Sequence, residues 1–188
     1  MESEPQVTVA RFDDAGRQEF LRQSLEQFEA PLVRYAFSLT GDLETARDVV
    51  QDTFLRLCEQ SPDAVDGHLG PWLFTVCRNR AHDVQRKAHR MTPLSEIELD
   101  HQPAPGLSPD AAAVASDAAD HVEGLLADLP RNQREVVRLK FQHQLSYQEI
   151  AAVTSLSVGN VGFLLHSALK TLRTRLEKLD RSSPIPTV

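Results

Sequence analysis

A chain of 188 residues, 41% hydrophobic and 25% charged, has room for one ordinary domain or two small ones, and this composition excludes wholesale disorder, a collagen-like repeat and a disulfide-built mini-protein. Eight glycines and 6% aromatics are few for an all-β chain with many tight turns, and no apolar run reaches the ~18–20 residues that cross a bilayer. The net charge of −7 argues against a nucleic-acid partner only when averaged: residues 1–66 and 91–130 each carry −8, whereas 67–90 carry +4 and 131–188 carry +5, two basic islands parted by an acidic stretch.

Along the chain, residues 1–16 are polar and aperiodic and are expected to fray. From Arg17 to Leu39 apolar residues recur every three or four positions (Phe20, Leu21, Leu25, Phe28, Leu32, Tyr35, Ala36, Leu39), the pattern of an amphipathic helix that Pro31 should break or bend. Thr40-Gly41-Asp42 reads as a stop followed by a new N-cap. The next helix, over 43–60, places Leu43, Ala46, Val50, Phe54 and Leu57 on one stripe, and Ser61-Pro62-Asp63 ends it. Gly70-Pro71 opens a third helix to about Arg90, with Leu73, Val76, Cys77 and Val84 facing inward. Residues 92–116 hold Pro93, Pro103, Pro105 and Pro109 among alanines and acids, which predicts a linker with a short helix starting after Ser108. Further helices follow: one ends at Leu125–Leu129, and Arg131–Phe141 forms the next. Ser146-Tyr147-Gln148-Glu149 is a capping box that starts a short helix to Val153. Ser157 caps a last helix striped by Val158, Val161, Leu165, Ala168, Leu172 and Leu176. No strand pattern is present. The expected fold is all-α: two small helical domains joined by a flexible acidic linker.

Residues 146–172 have the form of a helix-turn-helix, in which Ile150, Ala151, Leu156, Val161 and Leu165 pack a short helix against a longer one across the turn at Thr154–Leu156. Such a pair presents its second helix to a DNA major groove, although a helical hairpin that binds nothing, or a protein-binding bundle, shares the pattern. Glu2 and Glu4 with no apolar run make the N-terminus unlike a secretory signal, and Cys58 and Cys77 without C-x-x-C spacing read as reduced thiols; both point to the cytoplasm. His68, His82, His89 and His101 form no metal-ligand motif and no Gly-rich phosphate loop exists, so no enzymatic activity, metal or cofactor is expected.

Asp128-Leu129-Pro130-Arg131-Asn132-Gln133-Arg134-Glu135-Val136, then Leu145-Ser146-Tyr147-Gln148-Glu149-Ile150-Ala151 and Ser157-Val158-Gly159-Asn160-Val161, resembles region 4 of bacterial sigma factors of the extracytoplasmic-function (ECF) type. Independently, Ala46-Arg47-Asp48-Val49-Val50-Gln51-Asp52-Thr53-Phe54-Leu55-Arg56-Leu57 is similar to their region 2 core-binding helix. Pro71-Trp72-Leu73-Phe74 with Arg78-Asn79-Arg80-Ala81-His82-Asp83 looks like their promoter-melting helix. The resemblance covers about 18–178, with the segments in the right order. It implies a non-enzymatic, dissociable initiation subunit of RNA polymerase, with region 2 at 17–91, a linker at 92–116 and region 4 at 117–180. The implied partners are core RNA polymerase (its β′ clamp and β flap), promoter DNA and an anti-sigma factor, without membrane insertion. The residues alone also admit a stand-alone helix-turn-helix regulator that never contacts polymerase.

On the second helix, Glu44, Asp48, Gln51, Asp52, Leu55 and Glu59 line the face opposite the core. An acidic face with an exposed aliphatic suits docking on another helical element, where charge steers and the apolar anchor holds. The resemblance makes Asp48, Gln51, Asp52, Leu55 and Arg56 the contact with the β′ clamp coiled coil. On the third helix, Trp72, Thr75, Asn79, Asp83, Arg86 and Arg90 share a stripe. An indole to stack, an amide for base edges and guanidiniums for phosphates suit strand separation, although Trp72 also reads as core. The resemblance assigns Trp72, Arg78, Asn79, Asp83, Arg86, Lys87 and Arg90 to the −10 element.

The recognition helix departs from the family, which commonly carries a basic run just after the Val-Gly-x-Val turn; here the chain reads Gly162-Phe163-Leu164-Leu165-His166-Ser167-Ala168-Leu169 and the first lysine is Lys170. Without an arginine to grip guanine, the −35 candidates are Ser157, Asn160 (for adenine), Phe163 (for a thymine methyl), His166 and Lys170, with Arg131, Arg134, Arg138 and Arg173 on phosphates. Phe163 and Leu164 equally fit a protein-binding patch. The linker's ~25 residues have a typical end separation of ~25–30 Å and a limit of ~80–90 Å, so they span two elements ~60 Å apart only when stretched. Its acidity fits a basic nucleic-acid channel of the polymerase, as the resemblance implies, and equally a solubilising spacer.

Overall fold

The computed structural model describes residues 14–91 and 123–182, and among them every regular element is a helix. The expected linker and the helix after Ser108 lie outside the described residues. Helix α1 (Asp14–Thr40) continues through Pro31, so of the expected break or bend the break does not occur. A proline inside a helix forfeits a hydrogen bond and crowds the preceding turn, at a cost of ~3 kcal/mol. Immediately after it Leu32, Tyr35, Ala36 and Leu39 are all buried, and at ~1.5–3 kcal/mol for each large apolar side chain that burial outweighs the defect.

Gly41, at φ +77°, closes α1 and donates its N–H to the Phe37 carbonyl. Asp42 then caps α2 (Leu43–Cys58) by accepting from the Thr45 N–H at 2.7 Å. Ala46, Val49, Val50, Thr53 and Leu57 form its buried stripe. α2 stops two residues short of expectation, and Ser61-Pro62-Asp63 opens the single turn α3 (Pro62–Val65) rather than simply ending a helix. Pro62 stands at its first position, where the missing N–H costs nothing. α4 (Leu69–Met91) begins ahead of Pro71, which sits in its first turn. Leu73, Phe74, Cys77 and Ala81 are its buried residues, while Val76 and Val84 are only half-buried. The buried stripe is turned from the expected one because α4 is covered on two sides: α1 and α2 pack on one, and the second domain on the other.

In the second domain residues 123–127 are helical, followed by α5 (Arg131–Phe141), α6 (Tyr147–Thr154) and α7 (Val158–Ser182). Both halves of the capping box form: the Ser146 N–H donates to Glu149 Oε2 at 2.6 Å, and the Glu149 N–H donates to Ser146 Oγ at 3.2 Å. Ser155, at φ +59°, turns the chain, and α6 and α7 meet at 102°, the angle of a helix-turn-helix. Ile150, Val161 and Leu165 are fully enclosed between them, with Ala151 and Leu156 half-buried against the same core.

The two domains touch. The Tyr35 hydroxyl of α1 donates to Glu135 Oε1 of α5 at 2.7 Å. Arg78 of α4 donates Nε–H to the same oxygen at 2.7 Å and Nη2–H to Oε2 at 3.3 Å. Arg131 Nη2 donates to Gln85 Oε1 at 2.6 Å. The His143 ring, in the loop after α5, lies 4.5 Å from the Phe74 ring centroid and 5.8 Å from that of Tyr35, edge-on to the latter. Burial, then the Glu135 charge, raises the Tyr35 pKa well above its ordinary value, so the phenol remains a donor. Burial, then the positive charges of Arg34 and Arg138, lowers the His143 pKa to about 4, and its Nε2 is buried without a hydrogen-bond partner.

His143 is therefore neutral while packed and regains its ordinary pKa of 6.5 when released. Its contribution is complete above pH 6.5 and is lost as pH falls towards about 4, because the released state binds the proton more readily. Thermal melts should show a larger drop in Tm from pH 7 to pH 5 for the parent chain than for H143F. Equal drops would show that the imidazole carries none of the acid sensitivity.

Candidate docking and nucleic-acid interfaces

The inward stripe of α2 leaves Asp48, Gln51, Leu55 and Arg56 facing solvent on its outer side, flanked by Glu44 and Glu59. Leu55 is 57% exposed, a large aliphatic outside the buried core. Asp52 is half-buried because its carboxylate accepts from Arg80 Nε at 2.5 Å, joining α2 to α4. Both side chains are about a third exposed, so the pair contributes under ~1 kcal/mol. Its larger effect is positional: it sets the acidic α2 face beside the basic face of α4.

On α4, Asn79 and Lys87 are exposed, and Arg86 is exposed while ion-paired with Asp83. The hydrogen bond from Arg86 holds the Asp83 carboxyl below its ordinary range. Arg80, Asp83, Arg86 and Lys87 line one shallow groove of cationic character. Trp72 is half-buried, neither core nor free surface, in an open cleft between α4 and α6 where Gly67, His68 and Thr75 face Gln148 and Ala152. Arg78 points into the seam at Glu135. The Arg90 side chain lies outside the described ones. Asn79, Asp83, Arg86 and Lys87 thus share the open part of α4, and Trp72 and Arg78 face the other domain.

In the helix-turn-helix, Ser157 Oγ accepts from the Asn160 N–H at 3.2 Å and sets the start of α7. Val161, Leu164, Leu165 and Ala168 are buried, which leaves Asn160, Phe163, His166, Lys170 and Arg173 exposed at intervals of three or four. Phe163 is 67% exposed, with Val158 and Leu169 also open. Leu164 is buried, so the Phe163–Leu164 patch expected from sequence does not form; the helical period turns adjacent residues to different faces.

Arg134 and Arg138 also depart from the expected phosphate contacts, being 8% and 6% exposed. Arg134 Nη2 donates to the Ala127 and Leu129 carbonyls, and Arg138 Nη2 pairs with Glu123. A guanidinium fork suits the unpaired carbonyls at the end of the 123–127 helix, and the two arginines fasten α5 to it. Arg131 is exposed and held by Gln85, and Arg173 is exposed. Tyr35, Glu135 and His143 were absent from the sequence-derived set. The one signal for Glu135 was a carboxylate between arginines in a helix whose neighbours Val136, Val137 and Leu139 are apolar.

Among the described residues no group of His, Cys, Asp and Glu is placed to hold a metal ion, and no single helix is long and apolar enough to cross a membrane. Residues 25–91 match the family model for Sigma-70 region 2, and residues 121–172 match that for Sigma-70 region 4. The chain is 32% identical over 176 residues to the ECF RNA polymerase sigma factor SigL of Mycobacterium tuberculosis, covering 91% of this chain and 98% of that protein. It is 27% identical over 140 residues to the ECF RNA polymerase sigma factor SigM of Bacillus subtilis, covering 74% and 85%. Among solved structures it resembles the sigma factor RpoE of Bartonella quintana in complex with the anti-sigma factor NepR, with TM-score 0.65, 25% identity and coverage of 85% and 98%. It also resembles CnrH in complex with the cytosolic domain of CnrY, with TM-score 0.58, 26% identity and coverage of 87% and 92%. A bundle with an acidic outer face beside a basic helix, followed by a capped helix-turn-helix and matched along nearly its whole length by SigL, assigns the chain: it belongs to the ECF RNA polymerase sigma factors.

Proposed function

We propose that this chain is an alternative sigma factor that binds core RNA polymerase and directs promoter-specific initiation in the cytoplasm. The first domain reads and melts the −10 element, and the second reads the −35 element. The observation that carries this reading is the Asp52–Arg80 pair, which sets an acidic, leucine-bearing α2 face against a cationic α4 face. A stand-alone helix-turn-helix regulator has no use for that pairing. Asp48, Gln51, Leu55 and Arg56 dock the polymerase clamp, with Leu55 as apolar anchor. Asn79 offers an amide to an unstacked base, while Arg86 and Lys87 meet phosphates and Trp72 supplies a stacking surface. On α7, Asn160 and Phe163 read adenine and a thymine methyl, with His166, Lys170 and Arg173 along the same face. The subunit supplies position and strand separation; the chemistry of RNA synthesis stays with the core enzyme. Both solved relatives named above are complexes, and an anti-sigma protein is a partner of this chain as well; exposed Phe163, Val158 and Leu169 offer it apolar contacts.

Transcription by core polymerase from a randomised promoter library, with and without the chain, should yield a defined set of transcripts only when it is present; identical products would end the reading. L55D should weaken binding to core polymerase by about tenfold or more with little change in Tm, since Leu55 is 57% exposed and lies outside the buried core. N79A should leave core binding intact and reduce permanganate reactivity across the melted region. Footprints equal to those of the parent would remove Asn79 from strand separation.

A further inference from the structure

Arg80, Asp83 and Lys87 follow one another on α4 at intervals of three and four and, with Arg86, line one shallow groove. Two of its three cations are held by the chain's own carboxylates. Arg86 pairs with Asp83 of the same helix, and Arg80 donates Nε–H to Asp52 Oδ2 of α2 at 2.5 Å. Lys87 has no ion pair among the described residues. The hydrogen bond from Arg86, then the charges of Arg80 and Arg56, hold the Asp83 carboxyl below its ordinary range, so cations of both helices surround it. The Asp52–Arg80 pair is joined through one oxygen and one nitrogen. Arg80 Nη1 and Nη2 and Asp52 Oδ1 have no further hydrogen bond among the described residues, and the side chains are 30% and 37% exposed. A guanidinium offers carboxylate and phosphate the same N–H donors, and a pair this open to water is weakly held and exchangeable.

We propose that Arg80 is a further phosphate contact of the first domain and that Asp52 governs its charge: in the free chain the carboxylate offsets the guanidinium, and once a cationic element of polymerase settles on the α2 face and neutralises Asp52, Arg80 grips the strand. The inference rests on the roles of α2 and α4 given above. Asp52 stands where both partners reach it. On α2 it follows Asp48 by four residues and precedes Leu55 by three, at the border between the acidic face and the α4 groove, with one oxygen engaged and one open. A partner that docks on an acidic face brings cations to it. A phosphate entering the groove of the free chain meets Arg80 and Asp52 as a near-neutral pair, so Lys87 supplies the open charge. In the docked chain the full charge of Arg80 is added. The pair lies wholly within the first domain, so the exchange needs no rearrangement of the two domains. Asp52 acts through Arg80 and is a positioning residue; the contact with the strand is made by Arg80.

The test uses the full chain as the parent, D52N, R80Q and D52N/R80Q. Fluorescence anisotropy reads binding of the free chain to a labelled single strand of about 12 nucleotides of mixed sequence across a salt series. Each added phosphate contact steepens the dependence of log K on log salt by ~0.7 on a single strand. D52N should bind about threefold to fivefold tighter than the parent, with a slope steeper by about that amount. In the R80Q background the same Asp52 change should leave the slope unaltered and give a smaller gain, the part owed to lost repulsion alone. With core polymerase present, R80Q should bind core as the parent does but hold a −10 promoter fragment about threefold or more less tightly, and R80K should restore most of that loss. Circular dichroism checks that helicity is retained; should the double variant lose helix, the slope of D52N carries the comparison. A D52N slope equal to the parent's, equal gains in both backgrounds, or an R80Q holoenzyme that binds the fragment as the parent does would each overturn the proposal. The free-chain measurements involve neither polymerase nor promoter, so their failure is distinct from failure of the sigma role in the transcription selection.

Discussion

A carboxylate taken out of water in a helical interface is tolerated only if donors replace the water it lost, and Glu135 is supplied with three of them by the opposite domain. The way the two described domains pack is consistent with that requirement. α5 must lie where Tyr35 and Arg78 can reach it, which brings α6 along α4 and leaves the helix-turn-helix beside the bundle. The donors are matched to the task. Arg78 is charged, and Tyr35 is kept protonated by its burial.

α4 is the element on which the proposed sites meet. Its buried side completes the three-helix core through Leu73, Phe74, Cys77 and Ala81. Its open side carries Asn79, Arg86 and Lys87, and Arg80 ties it to the face of α2 proposed for polymerase. A helix used on so many sides has little freedom to vary. Cys77 illustrates this: burial pushes its thiol up to about 12, so the sulfur acts as a packing group and not as a nucleophile.

The second domain divides its arginines between structure and contact. Arg134 and Arg138 are spent on the carbonyls and carboxylate of the 123–127 segment, and what remains on the exposed face of α7 is an amide, an aromatic ring, an imidazole, one lysine and one arginine. Such a face is poor in bidentate guanine readers and rich in groups suited to adenine and to the thymine methyl. It is also apolar enough at Phe163 to interest a protein partner. The two roles proposed for this exposed ring, base reading and inhibitor capture, would compete.

What the sequence determined alone is whatever depends on neighbours three or four residues away. The existence of the helices, the Asp42 cap, the Ser146–Glu149 box and the turn before Ser157 are local, and each formed where its residues said it would, whereas the buried stripe of α4 turned and Leu25, Val158 and Leu176 stayed exposed. The outward faces of α2 and α7 followed, because a helix with one buried stripe has its opposite face settled by geometry. Tertiary structure decided the rest. Pro31 is carried through a helix because Leu32, Tyr35 and Ala36 are buried beside it, and Arg134 and Arg138 turn inward because free carbonyls and Glu123 await them. Trp72 and Arg78 face a seam because Glu135, 57 residues beyond Arg78 in the chain, comes to rest there. A charged side chain has the same local signature whether it meets water, DNA or a buried partner; only packing across the chain selects among them, because the desolvation that decides the outcome is set by distant residues.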